Sequence, residues 1–271
     1  CTKYGAPSYL GIDGITYYGS VAQHQFVRRP NSHMSVFENN DWSCDMGRFY
    51  ICAESINDWK QLLADPDKHW KVGYSAKCLA ASWQGANGFP APVMDVLESS
   101  EFPAFDGLQF LAGFPEHKVA LPGGSRPSQN DIFVVARNKQ RNLISMTVEG
   151  KVAEPFGPLI SDWRQRPTSG KDTRLRYLLD RLELNDEGLE DIRYQLLHRT
   201  VSAIKEAERW GAKIAVMLVH SFSPTNDGFE DYCRFLNLFS VEGQINSLAQ
   251  VKRKDSLDLY LGWVNESCSK S

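Results

Sequence analysis

The segment Ile214-Ala215-Val216-Met217-Leu218-Val219, apolar at every position, constrains the fold of this chain more than any other. A strand with one wet face alternates apolar and polar side chains. A run without alternation suits a strand covered on both faces. Such a strand needs one layer of structure above it and another below, which points to a sheet sandwiched by helices. The preceding sequence supplies helix: over residues 187–210, Leu189, Ile192, Leu196, Ala203, Ala207 and Trp210 recur on one face. Asn185 or Asp186 is placed to cap that helix, and Gly211 to close it.

At 271 residues, 42% hydrophobic and 23% charged, the chain can bury a substantial core as one large domain or one and a half. No stretch reaches the roughly 18 consecutive apolar residues of a membrane span, so no membrane partner is expected. The first residues show no basic segment followed by an apolar one, so no signal peptide is expected. A net charge of −3 gives no bulk attraction for nucleic acid, and polyanion binding would rest on a local basic patch. The six cysteines (Cys1, Cys44, Cys52, Cys78, Cys233, Cys268) form no Cys-x-x-Cys pair and none lies at zinc-site spacing from a histidine. Free thiols in a reducing cytoplasm are therefore expected. Cys1 has no initiator Met before it. We read it as a trimmed start in preference to a lipidated cysteine or an N-terminal nucleophile.

Residues 1–60 read as a β-rich extension, with short strands at 14–19, 34–37 and 48–52, and residues 61–271 as the core. Short helices are expected over 57–64, stopped by Asp65-Pro66, over 75–84 with Ser75 as N-cap, and over 92–99. A strand at 117–121 ends in the turn-forming Pro122-Gly123-Gly124-Ser125-Arg126-Pro127. Residues 161–171 read as a polar loop, 229–239 as a helix and 257–264 as a strand.

Within the core, Asp131 opens the apolar run 132–136, a polar turn covers 137–142, and a second run, 143–148, leads into Glu149-Gly150-Lys151. Antiparallel pairing of these two runs would bring Asp131 close to Glu149. Side chains two apart on a strand share a face, so Glu149 and Lys151 point the same way. Two carboxylates and a lysine at a sheet rim can bind a hard divalent cation with a water beside it. From residue 92 the order is helix, strand, strand with Asp, strand with Glu-x-Lys, long helix, apolar strand. Over residues 92–220 this order and motif resemble the PD-(D/E)XK nuclease superfamily. Asn130-Asp131 stands where that family usually has Pro-Asp, and Glu149-Gly150-Lys151 matches its Glu-x-Lys.

The resemblance implies a mixed α/β fold, a restriction-endonuclease-like central mixed sheet flanked by helices, and a metal-dependent nuclease acting on DNA. It implies Mg²⁺, with Mn²⁺ as substitute, held by Asp131, Glu149 and the carbonyl of Gly150. Lys151 would orient the attacking water, and a helix glutamate, best placed at Glu98 with Glu101 and Glu116 as competitors, would join them. Gln195 and Arg199 lie one turn apart on the long helix, where some members carry Gln-x-x-x-Tyr, and with Arg126 they are candidates for phosphate contact. Each also has a plainer reading, as polar helix face or turn. Arg164, Arg166, Lys171, Arg174 and Arg176 form the densest basic stretch, read as solvated loop before DNA-contacting lip. His220, at the end of the apolar strand, reads as a packing or capping residue. Two other functions remain open: a catalytically inactive binding module on the same fold, which could be a homodimer as the nuclease could, and an N-terminal-nucleophile amidohydrolase using Cys1.

Overall fold

The computed structural model describes residues 53, 55–63, 65–71 and 73–268, and the backbone of two short paired strands, β1 (Tyr9–Leu10) and β2 (Thr16–Tyr17). The chain divides into two units, residues 1–45 and 46–271. In the first, β1 and β2 pair antiparallel. The strands expected at 34–37 and 48–52 lie outside the described residues, as does Cys1.

The second unit begins with four helices, α1 (Ile56–Leu62), α2 (Pro66–His69), α3 (Ser75–Ala86) and α4 (Ala91–Ser99). Asp65 ends the first of these segments and caps the next, its side chain accepting from the Lys68 amide, with Pro66 at N1 where its missing N–H costs nothing. Strands β3 (Gln109–Val119), β4 (Ser128–Arg137) and β5 (Leu143–Lys151) follow. Then come α5 (Ile160–Arg164), α6 (Ser169–Leu182), α7 (Tyr194–Trp210), β6 (Ile214–Ser221), α8 (Phe229–Asn237), β7 (Ser247–Val251) and β8 (Asp258–Asn265).

The result is a mixed α/β unit built on one six-stranded sheet in the order β3-β4-β5-β6-β8-β7. β5–β6 and β6–β8 run parallel, and the other neighbours antiparallel. β6 shows why its sequence lacks alternation. Ala215, Met217 and Val219 enter a core built with α6, α7 and α8, while Ile214, Val216 and Leu218 enter a second core built with α1, α3 and α4. Among the described residues no helix is long and apolar enough to cross a membrane.

Several local expectations change. The long helix starts at Tyr194, because residues 189–192 close a turn, the Ile192 amide donating to Leu189 O at 3.0 Å, and that turn is tied to the chain at the start of α5: Leu159 bridges Arg193, and the Ile160 amide donates to Ile192 O at 2.8 Å. Leu189 and Ile192 are buried there without being helical. Of residues 161–171 only 165–168 form a loop, since α5 and the start of α6 occupy the rest. Ser75 is the first helical residue of α3 and does not cap it. The Glu154 carboxylate, from the far end of the site strand, accepts the Ser75 amide at 3.2 Å instead.

The free-thiol expectation fails for two cysteines. Cys78 on α3 and Cys268 beyond β8 form a disulfide with Cα atoms 5.6 Å apart. Their sequence separation of 190 hides the pair from any spacing rule, and only the passage of the chain beyond β8 past α3, where Ser82 also donates to Glu266, brings them together. Cys233 is free.

Candidate functional site: a row of carboxylates across three strands

Strand β5 is polar on one face and apolar on the other. Ile144, Met146 and Val148 point into the α3 side of the sheet. Ser145, Thr147, Glu149 and Lys151, at the alternate positions, face α7. Ser145 Oγ donates to Ala203 O at 2.9 Å and Thr147 Oγ1 to Arg199 O at 3.1 Å. Glu149 Oε1 accepts from Gln195 Nε2 at 2.6 Å, and Oε2 from Arg199 Nε at 2.5 Å. Each step of two residues along the strand thus meets a step of four along the helix. Two strand residues rise about 6.6 Å and four helical residues about 6 Å, so the two ladders stay in step. Arg199 and Gln195 therefore face the strand and hold the Glu149 carboxylate.

The cross-strand register sets the rest. Ile132 of β4 pairs with Val148 of β5, which leaves Asp131 opposite Glu149 one position further on. Between the pairs Pro115–Ile132 and His117–Asn130, Glu116 of β3 stands opposite Asp131. Glu116, Asp131 and Glu149 form one row over three adjacent strands. The β4–β5 ladder stops there: the Gly150 amide donates to Asp131 Oδ2 at 2.8 Å in place of a backbone carbonyl. Glu116 takes a left-handed backbone, φ 52°, inside a strand, a conformation that costs energy for a glutamate and clusters at functional sites.

The charges of the row are unequal. Burial, then the negative charges of Glu149 and Glu116, push the Asp131 carboxyl well above its usual range. Burial pushes Glu116 up to about 7, against a hydrogen bond from Gln129. Burial also acts on Glu149, but the charges of Arg199 and Lys151 outweigh it and hold that carboxyl below its usual range. Lys151 Nζ lies 2.8 Å from Glu149 Oε1 and 3.3 Å from Gln195 Oε1. The Glu149–Lys151–Arg199 cluster is only 3%, 4% and 7% exposed, so these pairs act with little solvent screening. His198, held neutral by burial and by the nearby charges of Arg199, Arg174 and Lys151, shares a 2.8 Å hydrogen bond with Ser128.

These groups line a cavity of about 670 Å³, whose opposite wall is Lys68, His69, Tyr74, Ser75 and Ala76 of the α2–α3 segment. Of the sequence-derived candidates, Asp131, Glu149, Lys151, Gln195 and Arg199 meet there. Glu98 does not. It is exposed on α4, which packs against β7 and β8 at the other edge of the sheet. The carboxylate that joins instead is Glu116, from a strand and not a helix. Arg126 lies at an adjoining cavity, outside this one. The basic stretch scatters: Arg174 is buried, Arg164 pairs with Asp186, and Arg166 and Arg176 are exposed. His220 is fully buried, its Nδ1 accepting from Trp83 Nε1 at 3.0 Å and its Nε2 2.9 Å from Glu266, a packing role.

Among the described residues no group of three or more His, Cys, Asp or Glu side chains is arranged to hold a metal ion. Both Glu149 oxygens are engaged by Lys151, Gln195 and Arg199, so a cation would rely on fewer protein oxygens. The Gly150 amide points toward Asp131, and in a strand the carbonyl of the same residue points the same way. Asp131, one Glu149 oxygen and the Gly150 carbonyl are a donor set suited to Mg²⁺, which keeps several waters and binds through one or two carboxylates.

The chain belongs to the family described as Domain of unknown function (DUF6946), whose model matches residues 52–268. No curated protein and no solved structure matches it.

Proposed function

We propose that the protein is a metal-dependent nuclease acting on DNA, built on a restriction-endonuclease-like core, with Asp131, Glu149 and Lys151 at its centre. The observation that carries this reading is the row Glu116–Asp131–Glu149 across three strands, with a buried lysine two residues beyond. Three carboxylates in one row repel one another, and that repulsion adds to burial, the larger cause, in holding Asp131 and Glu116 above their usual range. A divalent cation relieves it.

Mg²⁺ or Mn²⁺ bound there by Asp131, Glu149 and the Gly150 carbonyl would polarise the phosphate and lower the pKa of a bound water. Lys151 is placed to orient the attacking water and to balance negative charge developing on the phosphorus-bound oxygens. Arg199 and Gln195 fix the Glu149 carboxylate, and Ser128 Oγ accepts from Arg199 Nη1 at 3.1 Å to fix the guanidinium in turn. A cytoplasmic location belongs to the same proposal. The Cys78–Cys268 bond weighs against it, because such bonds persist in oxidising compartments.

Cleavage of single-stranded, duplex and branched DNA with Mg²⁺, Mn²⁺, Ca²⁺ or EDTA tests the reading. Activity should need Mg²⁺ or Mn²⁺, vanish on chelation, and fall about a hundredfold or more in Lys151→Ala. Undiminished cleavage in EDTA would overturn it. The inactive binding module is the second reading, favoured by the saturation of both Glu149 oxygens. Calorimetric titration with Mn²⁺ separates the two, since a module without a metal site shows no binding that Asp131→Ala abolishes.

A further inference from the structure

A second cavity, of about 600 Å³, opens beside the first and shares Pro127, Pro158, Tyr194 and His198 with it. Its lining is chemically different. Glu116, Asp131, Glu149 and Glu154 line the first cavity, whereas the second has Arg126, Lys171 and Arg174 and, among the described residues, no carboxylate. Trp163 and Tyr194 form its aromatic wall, stacked with ring centroids 4.4 Å apart and planes 14° apart. Lys171 Nζ lies 5.2 Å from the Trp163 centroid and donates to Trp163 O at 2.6 Å.

The site is built by Arg174. Its Nη2 donates to the carbonyls of Leu121 at 2.9 Å, Arg126 at 3.2 Å and Gly124 at 3.3 Å, and its Nη1 lies 3.4 Å from the Tyr194 hydroxyl. One buried guanidinium thus ties the loop that carries Arg126 to the aromatic wall. Gly123, φ 82°, seats that loop on α6, since a Cβ there would lie 2.2 Å from Gly170 O.

Cations and aromatic faces without a carboxylate recognise a group that is both anionic and flat, which describes a nucleotide. A cavity of this size takes one small-molecule-sized group. A paired base would bring its partner and a second backbone with it, whereas a base of a single strand enters alone. We propose that this cavity holds the nucleotide next to the scissile phosphate, and that the substrate is therefore a single DNA strand. The base packs along the edges of the stacked Trp163–Tyr194 pair, and its phosphate faces Arg126 and Lys171. The inference rests on the nuclease reading of the neighbouring cavity.

Fluorescence anisotropy in EDTA, where no cleavage competes, tests it with a labelled oligothymidylate and with a duplex of equal length. The single strand should bind about tenfold more tightly than the duplex, and the double variant Arg126→Gln/Lys171→Gln should lose about tenfold for the strand. Trp163→Ala should lose a similar factor while Trp163→Phe, which keeps a ring, retains most of the affinity. Equal affinity for duplex, or a double variant that binds like the parent, would overturn the proposal. Adding Mg²⁺ to the same strand separates the two claims. Binding without cleavage would sink the nuclease reading alone. Cleavage unchanged in the double variant, with duplex cut as readily as strand, would sink the cavity assignment alone.

Discussion

The Gly150 amide donates to Asp131 Oδ2 at 2.8 Å, so a side chain of β4 completes the hydrogen bonding of β5. This contact leaves no room to spare on the far side. A Cβ on Gly150 would meet Ser75 Cβ and Leu79 Cδ2 at 3.3 Å, and Asp131 Oδ2 at 3.4 Å. Gly150→Ala should therefore be tolerated with small shifts. Gly150→Val should displace α3 or Asp131, cost about 1–3 kcal/mol and weaken Mn²⁺ binding. Urea denaturation and calorimetric titration would read both, and a Val variant as stable as the parent would contradict the packing.

Arg199 should be the most costly single truncation in the site. Its guanidinium meets both Glu149 and Ser128, at 7% exposure. Arg199→Ala leaves the buried Glu149 carboxylate with Lys151 and Gln195 but with nothing on its second oxygen, and should lose about 1–3 kcal/mol. Arg199→Lys should not restore it, because a point charge cannot serve both partners at once. A lysine variant with parental stability would refute the two-partner role.

Stability without metal should fall as pH rises across a defined window. Glu116 binds its proton up to about 7 when folded and up to the ordinary 4.5 when unfolded. The folded state therefore holds more protons between those values. Its advantage is complete below the lower one and lost as pH rises through the upper one. Asp131 acts in the same direction, and Glu149, held low, acts oppositely by losing stability as pH falls. From pH 5 to pH 8 in EDTA the loss should be on the order of 1–3 kcal/mol. Glu116→Gln should flatten the slope and Mn²⁺ should recover stability at pH 8. A slope of the other sign would show that Glu116 ionises freely in the fold.

The Cys78–Cys268 bond closes nearly the whole core, so its reduction should be felt globally. Chain entropy over so long a loop makes the bond worth about 2–5 kcal/mol. Peptide mapping without reductant should recover the two cysteines together, and Cys78→Ser should lower the melting temperature. Mapping that finds both as free thiols would remove this support.

The hairpin of β4 and β5 was legible because two apolar runs flank a polar turn, and β6 because a strand buried on both faces has no alternation to lose. Glu116 was far less so. A left-handed glutamate inside a strand has no short-range signature, and Gly113 and Pro115 beside it obscure the period. Ser145 and Thr147 lie inside an otherwise apolar run that gives no sign of their partners, yet their hydroxyls anchor α7 in register. Leu175, Leu178, Leu179 and Leu182 held the spacing of α6 in plain view, masked by the polar residues before them. Leu189 and Ile192 misled in the opposite sense. They are buried at helical spacing by tertiary contacts with the chain around Leu159, not by a helix.

The strand that carries Glu149 and Lys151 is paired on both sides and packed on both faces, with β6 locking every residue from Ile144 to Lys151. Its amides should exchange with solvent only when the whole unit unfolds, so the centre itself cannot yield to admit a ligand. Any breathing of the cleft must come from its other wall. There α2 is a single turn of four residues, and Lys68, His69 and Tyr74 belong to no strand. Entry and departure would then be timed by the ordering of that short segment, not by the chemistry at the strand it faces.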